Sequence, residues 1–435
     1  MSKHVKNLKR KLNSIINSME KCSYLFVKNP SKDFSRKRNL TFAEMIKILL
    51  SMGGSTINRE LINYSNYNAK TVTSSAFCQQ RSKILLTAFE FLFHEFNKGH
   101  KPKNLYKGYR LLAVDGSDLT YTSNPEDDEC YFKIADRKPY NLLHLNALYD
   151  LLNNIYVDAL IQTKRKSNEN SAFITMADRY KGAPKAIFIA DRGYESYNNF
   201  AHIENSGYNY VIRVKDINNS GILSCFNLPD DEFDIDIERL LTRKSTKEVK
   251  NNPNKYRTLH KNAVFDYLPQ NSDDFYKMQF RVVRFKIDSD KYECLITNLP
   301  REEFDMKDLR ELYALRWGIE TSFRQLKYAV GMVAFHSKKA ELVQQEVFAR
   351  LIMYNFCEII ITNTIIEKKN RKYTYKANFA MAIQICKEFI RKKRGLTPPN
   401  VEALIQKYIS PVRNDRQYKR TLKTKSAISF IYRIR

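Results

Sequence analysis

Apolar residues recur along this chain in two rhythms, and the change from one to the other falls near Tyr106. Up to about residue 105 the spacing is helical. Thr41 followed by Glu44 has the form of a capping box, and Met45-Ile46-Lys47-Ile48-Leu49-Leu50 starts an apolar helix that Gly53-Gly54 stops. Phe77, Ile84, Leu85, Phe89, Leu92 and Phe93 mix three- and four-residue spacing and predict one helix over about 75–96. Beyond Tyr106, strands are predicted over 110–115, 142–149, 155–163, 186–191 and 208–214, with helices over 169–180 and 196–205. The order β-β-β-α-β-α-β opens as a meander and then crosses over, which predicts a mixed α/β sheet flanked by helices. Residues 216–236 are turn-rich and acidic, 244–257 basic and polar, and 278–287 and 294–297 strand-like, so 216–297 reads as a β-rich insertion. One long helix is predicted over 304–331, a buried helix over 351–366, and helical structure to about Tyr408. The divisions are a helical region 1–105, a core in two parts (106–215 and 298–370) around the insertion, and a helical basic region 371–435.

Composition adds charge to this picture. The 435 residues hold 74 Lys and Arg against 47 Asp and Glu, a formal net charge of +27, with a hydrophobic share of 43% that suits a folded chain. An excess of this size costs self-repulsion and suits a polyanion partner, although a coding bias toward Lys contributes to it. The cations gather at 1–40, in the run Arg391 to Arg394, and in a tail from Arg413 to Arg435. No apolar run is long enough to span a bilayer, because Asn355, Glu358, Thr362, Asn363 and Thr364 interrupt the nearest one. The basic N-terminus lacks the apolar stretch of a signal peptide, so a cytoplasmic protein without membrane association is expected. Seven scattered cysteines without CxxC spacing predict buried free thiols, and no HExxH or i,i+4 histidine pair suggests zinc.

The candidate chemistry lies in three acids and their company. On an ideal helix Tyr313, Arg316, Glu320 and Lys327 fall within a strip roughly 60° wide, beside an apolar stripe of Leu312, Leu315, Ile319, Phe323, Leu326 and Val330. An i,i+4 surface ladder accounts for Arg316 and Glu320 but leaves Tyr313 and Lys327 without a reason. Asp115 and Asp191 each close an apolar run, where a carboxylate points into a crevice beside the next strand. Three gathered carboxylates repel unless cations join them. Mg²⁺ suits hard oxygen ligands and phosphate, and two such ions roughly 3.5–4 Å apart serve phosphoryl transfer. Asp118, Asp136, Asp150, Asp158 and Asp178 are less apt. Asp118, for example, sits three residues beyond Asp115 and would face the other side of a continuing strand.

The spacing Tyr313-x2-Arg316-x3-Glu320-x6-Lys327 resembles the YREK signature of IS4-type bacterial transposases. Val114-Asp115-Gly116-Ser117 and Ala190-Asp191-Arg192-Gly193-Tyr194 resemble that family's two aspartate motifs, in the right order, and a β-rich insertion before the glutamate is similar as well. The resemblance implies a DDE transposase with an RNase H-like core. In it Asp115, Asp191 and Glu320 hold two Mg²⁺ (Mn²⁺ substituting), and Tyr313, Arg316 and Lys327 grip phosphates, with Arg192 and Tyr292 as further DNA contacts. It also implies double-stranded DNA partners (terminal inverted repeats and target DNA), a homodimer on DNA, nucleoid association when bound, and cut-and-paste chemistry with a hairpin step. One departure concerns that step: family members can stack a flipped base on a Trp of the insertion, whereas the only Trp here is Trp317, and Tyr292 stands in the insertion strand. A catalytically inactive DNA-binding relative and a different metal nuclease are the competing readings, and the intact acids and YREK residues favour the transposase.

Overall fold

The computed structural model describes residues 1–36, 39–136, 138–183, 185–288, 291–366, 373–391 and 397–412. Lys37, Arg38, the tail from Arg413 onward and all of the Arg391 to Arg394 run except Arg391 lie outside the described residues.

The N-terminal part is helical: α1 (Lys3–Lys21), α2 (Phe42–Ser51), α3 (Ile57–Tyr64), α4 (Ser74–Arg81) and α5 (Thr87–Asn97). Helix α1 buries Val5, Leu8, Leu12, Ile16 and Met19 at helical spacing. Lys3, Lys6 and Lys21 are exposed, whereas Lys9 and Lys11 are half-buried and donate to the carbonyls of Phe389 (2.6 Å) and Phe96 (2.7 Å). Thr41 caps α2 by accepting from the Glu44 N–H. The single helix predicted over 75–96 is two, because residues between α4 and α5 turn their backbone groups elsewhere. Lys28 N–H donates to the Lys83 carbonyl (2.8 Å) and Leu85 N–H to the Phe26 carbonyl (2.9 Å).

A large mixed sheet follows. Its elements are β1 (Arg110–Tyr121), β2 (Tyr131–Phe132), β3 (Tyr140–Asp150), β4 (Ile155–Thr163), α6 (Glu169–Arg179), β5 (Ala186–Ala190), α7 (Tyr197–Asn205) and β6 (Asn209–Val214). The chain then adds β7 (Phe233–Thr242), α8 (Lys247–Asn251), β8 (Tyr256–Thr258), β9 (Phe275–Asp288) and β10 (Lys291–Thr297). Strand order is β2-β3-β1-β5-β6-β10-β9-β7-β8, with β4 on the free side of β3. The first three long strands run antiparallel, and β1-β5 and β5-β6 are parallel. Strands of the 216–297 segment therefore extend the same sheet, with β10 lying antiparallel against β6. The sequence pattern does not reveal β7, because Asp234 and Asp236 read as part of an acidic turn. They alternate with apolar residues, and Asp234 is held by the Arg281 guanidinium (2.6 and 2.7 Å).

Side-chain alternation gives the sheet two apolar faces. Leu112, Val114, Phe188 and Ile212 face one core with Phe173 and Phe200 of α6 and α7, while Leu111, Ala113, Ile187 and Ile189 face the other. That second core contains α9 (Met306–Ala314), α10 (Trp317–Gln325), α11 (Ala340–Thr362) and the N-terminal helices. Helix α11 is buried around most of its circumference and packs on α5, α2 and β4. The C-terminal part adds β11 (Tyr375–Ala377), α12 (Phe379–Arg391), α13 (Val401–Lys407) and β12 (Ile409–Pro411). All seven cysteines are free. Four are buried, whereas Cys78 is exposed, since it lies on the outer side of α4. Among the described residues, no helix is long and apolar enough to cross a membrane.

The helix predicted over 304–331 is broken. Leu315, Arg316, Gly318 and Ile319 each donate to the residue three before, a tightened turn between α9 and α10, and a π-helical turn, Leu326–Val330, ends the segment. Gly331 closes it at φ +111°, and a Cβ there would stand 3.1 Å from the Gly54 nitrogen, so the site requires glycine. A buried ion network fixes this end. Glu346 on α11 takes Arg81 of α4 (2.9 Å), His336 Nδ1 (3.0 Å) and Arg350 (2.8 Å), and Arg350 donates onward to the carbonyls of Gly331 (2.9 Å), Ala334 (2.9 Å) and Gly53 (3.2 Å). Burial opposes the charge of Glu346, but Arg81, His336 and Arg350 hold its carboxyl well below the usual range. Replacing Glu346 with Gln strands two buried guanidinium groups and is expected to cost about 3–5 kcal/mol. Urea denaturation checks this, and a loss below about 1 kcal/mol would count against the network as the clamp between helices and loop.

Candidate active site

Three carboxylates line one cleft of about 600 Å³, together with Arg192, Arg213, Arg316, Trp317, Arg324, Lys327 and Tyr328. Each acid comes from a different element. Asp191 follows β5 directly and caps a 3-10 turn, its Oδ1 accepting from the Gly193 N–H (2.8 Å). Glu320 sits in the first turn of α10. Asp115 differs from the expectation that it ends a strand. It lies mid-way along β1, opposite Ala147, because β1 continues to Tyr121 in register with β3. Its Oδ1 accepts the N–H of Gly116 (2.8 Å). Parallel pairing sets β1 beside β5, which brings the two aspartates to the same side of the sheet, and α10 packs on β1 to deliver Glu320.

Arg316 stands between the acids. Its Nη2 donates to Glu320 Oε1 (3.1 Å) and its Nη1 is 4.0 Å from Asp115 Oδ2. It is 5% exposed, lies over the Trp317 ring (5.0 Å to the centroid), and its Nε has no partner among the described residues. Burial pushes the Asp115 carboxyl up to about 6. The Gly116 N–H and Arg316 pull it down, and Asp191 and Glu320 push it further up. Arg316 is held above its ordinary pKa although burial opposes this, with Tyr313, Glu320 and Asp115 as the causes.

Tyr313 is not on the exposed strip. The tightened turn breaks the helical wheel between Tyr313 and Glu320, and Tyr313 is 4% exposed with its hydroxyl unpartnered among the described residues. Burial pushes its phenol up to about 12. Lys327, in the π-helical turn, reaches the cleft. Arg192 is exposed and lines both this cleft and a neighbouring one of about 660 Å³. Tyr292 belongs to the neighbouring cleft, under the Arg284 guanidinium (3.7 Å) and with its hydroxyl on Asp231 (3.3 Å). Arg213 and Arg324 were not singled out in the sequence. Arg324 continues the four-residue ladder of Arg316 and Glu320, a signal that was available, whereas nothing local marks Arg213 on β6. Four of the five less apt acids are engaged elsewhere: Asp150 with Arg110 (2.6 Å), Asp158 with Arg179, Asp178 with His202 (3.0 Å), and Asp118 with His144 (2.7 Å); Asp136 is exposed in a turn.

The cleft's chemistry fits added cations. The half-buried Asp115 meets two carboxylates and one guanidinium; burial is the main cause of its raised pKa, and Asp191 and Glu320 add to it. As the side chains stand, no group of three or more His, Cys, Asp and Glu among the described residues is spaced to hold a metal ion, and Arg316 contacts Asp115 and Glu320.

The profile of the family described as "Transposase DDE domain" matches residues 106–356, more than half of the chain. The chain belongs to this family. A transposase for insertion sequence element IS421 of Escherichia coli, and InsL of insertion sequence element IS186A from Escherichia coli (strain K12), are each 36% identical over 58 residues. That segment is 13% of this chain and spans 16% of each relative's length. A cryo-EM structure of a piggyBac transposase synaptic complex with hairpin DNA is similar with a TM-score of 0.47 and 10% identity, over 90% of this chain and 81% of that one.

Without divalent ions, the charged Asp115 should weaken the fold. A carboxyl raised from 3.8 to about 6 binds its proton more tightly in the folded state, so stability falls as pH rises through that window. Near pH 7 the charged form costs on the order of 2 kcal/mol. Asp115→Asn is therefore expected to be more stable than the parent near pH 7 in a chelator and equal to it near pH 4. Urea melts at the two pH values check this, and an equal stability at both would remove the electrostatic account.

Proposed function

We propose that this DDE family chain is the transposase of an insertion sequence, which cuts DNA at the element's ends and joins them to a target by metal-dependent phosphoryl transfer. The observation that carries the reading is the convergence of Asp115, Asp191 and Glu320 on one cleft that Arg316 and Lys327 also line. We read the strand order β4-β3-β1-β5-β6 as an RNase H-like core. The strands of 216–297 are then an insertion at its β6 edge, which supports placing the chain in the IS4 group with its YREK residues.

Asp115, Asp191 and Glu320 would hold two Mg²⁺, or Mn²⁺, and the ions when bound supply activation of the attacking oxygen and stabilisation of the leaving one. The remaining work is the chain's own. The Arg316 fork and the Lys327 point charge bind phosphate oxygens, with Arg316 exchanging its carboxylate partners for phosphate. Tyr313 packs beneath them as a buried support with an unused hydroxyl. Arg192 guides the strand between the two clefts, and Tyr292 offers an aromatic face in the second, where a hairpin step would need one.

Duplex DNA, terminal inverted repeats first and target DNA second, is the partner, and strand joining by two ends calls for a homodimer in the DNA complex. A basic groove between α1 and α12 supports a DNA-binding role for the N-terminal region: Lys6, Lys9, Arg10, Lys21, Lys47 and Arg391 line it against the single carboxylate of Glu44. A cytoplasmic, nucleoid-associated location follows from the same reading.

Asp191→Ala is expected to bind terminal-repeat DNA as the parent does and to lose Mg²⁺-dependent nicking in a supercoiled-plasmid assay. Persisting cleavage would remove Asp191 from the site. Lys327→Ala is expected to lower the salt slope of end binding by roughly 0.9, one phosphate contact. An unchanged slope with unchanged joining would count against its phosphate role.

A further inference from the structure

We propose that His144 is a positioning residue for Asp115, acting through the backbone of Gly116 from the opposite face of β1. The inference rests on the reading of Asp115 as a metal-holding carboxylate.

His144 lies on β3 across from Asp118, and its side chain is 4% exposed. Its Nδ1 is 2.7 Å from Asp118 Oδ1 and its Nε2 is 2.9 Å from Glu169 Oε1. Lys164 completes the group, with Nζ 2.9 Å from Asp118 Oδ1 and 3.5 Å from His144 Nδ1. These four residues come from β1, β3, the turn after β4 and the first turn of α6, so the imidazole joins separate elements at one point. Although burial opposes its charge, Asp118 and Glu169 hold the imidazole above its ordinary pKa.

The geometry connects this group to the cleft. Residues of β1 alternate, so Gly116 and Asp118 face His144 while Asp115 faces the cleft. His144 leans along β3 toward Gly116, as a diagonal cross-strand neighbour can. A Cβ on Gly116 would stand 2.5 Å from His144 Nε2 and 2.9 Å from Glu169 Oε1. The glycine thus lets the ring and the carboxylate press against the strand, directly behind the residue whose N–H holds Asp115 Oδ1 at 2.8 Å. A chain of contacts runs from α6 through His144 to the orientation of one carboxylate oxygen. Gly116 serves this close approach, since its φ lies outside the left-handed region.

An ordinary buried polar cluster would leave Asp115 indifferent to His144, and the two cases separate by experiment. The probe is Mn²⁺, titrated into the full-length protein and followed by electron paramagnetic resonance, with melting temperature and Mg²⁺-dependent nicking measured beside it. His144→Ala is expected to weaken Mn²⁺ binding by about tenfold or more, the range seen when groups that orient metal ligands are removed. Glu169→Gln removes one anchor without emptying the core, and a smaller weakening in the same direction is expected. Gly116→Ala is expected to weaken binding as well. Parent-level affinity in both His144→Ala and Glu169→Gln overturns the proposal, and so does parent-level affinity in Gly116→Ala. A parent protein that binds no Mn²⁺ overturns the metal reading of the cleft and this inference with it.

Discussion

The site depends on a balance of charge around one guanidinium. Asp115, Asp191 and Glu320 share a cleft in which Asp115 is half-buried, and Arg316 stands between Asp115 and Glu320 as their counter-charge. Burial raises the Asp115 pKa, and the guanidinium offsets part of that rise. It also makes the cleft responsive. Cations joining the acids would release the guanidinium, and a released guanidinium is a ready phosphate ligand. On the proposed function, binding of metal and binding of DNA would be linked through the same side chain.

The rest of the fold can be understood as what holds the donors of these groups in place. Parallel pairing fixes Asp115 and Asp191 on adjacent strands, and helix α10 brings Glu320 onto β1. The far end of that helical segment is pinned by Arg350, which donates to the Gly331 carbonyl while paired with buried Glu346. Because Glu346 also binds Arg81, the N-terminal helices are tied to the same point. A buried ion network is weak evidence for net stability, but breaking one is costly, so it suits a part whose job is to keep a loop in one position.

The core strands and crossover helices were legible in sequence because they are governed by periodicity. The ends of β4 fall where alternation placed them, and β5 and β6 differ by a single residue at one end. What escaped depends on contacts between distant segments. The interval between α4 and α5 is set by pairing with residues 26–28, which helical spacing cannot reveal. The turn at Leu315–Arg316 buried Tyr313, although an ideal wheel put it beside Glu320. Strand β7 was hidden because its carboxylates read as a turn until Arg281 supplied a partner. At the site, the three acids and Arg316 could be chosen by residue type and spacing, whereas Arg213 and His144 arrive from neighbouring strands with no local mark.

On the proposed function, the three acids form one metal centre beside a phosphate-binding wall. Anomalous diffraction from crystals of the chain grown with Mn²⁺ and a DNA end examines both parts at once. Manganese peaks bounded by Asp115, Asp191 and Glu320 are expected, with Arg316 moved from Glu320 onto a DNA phosphate. Manganese bound elsewhere, or a DNA-bound cleft without it in which Arg316 keeps its carboxylate partners, would contradict the proposed function.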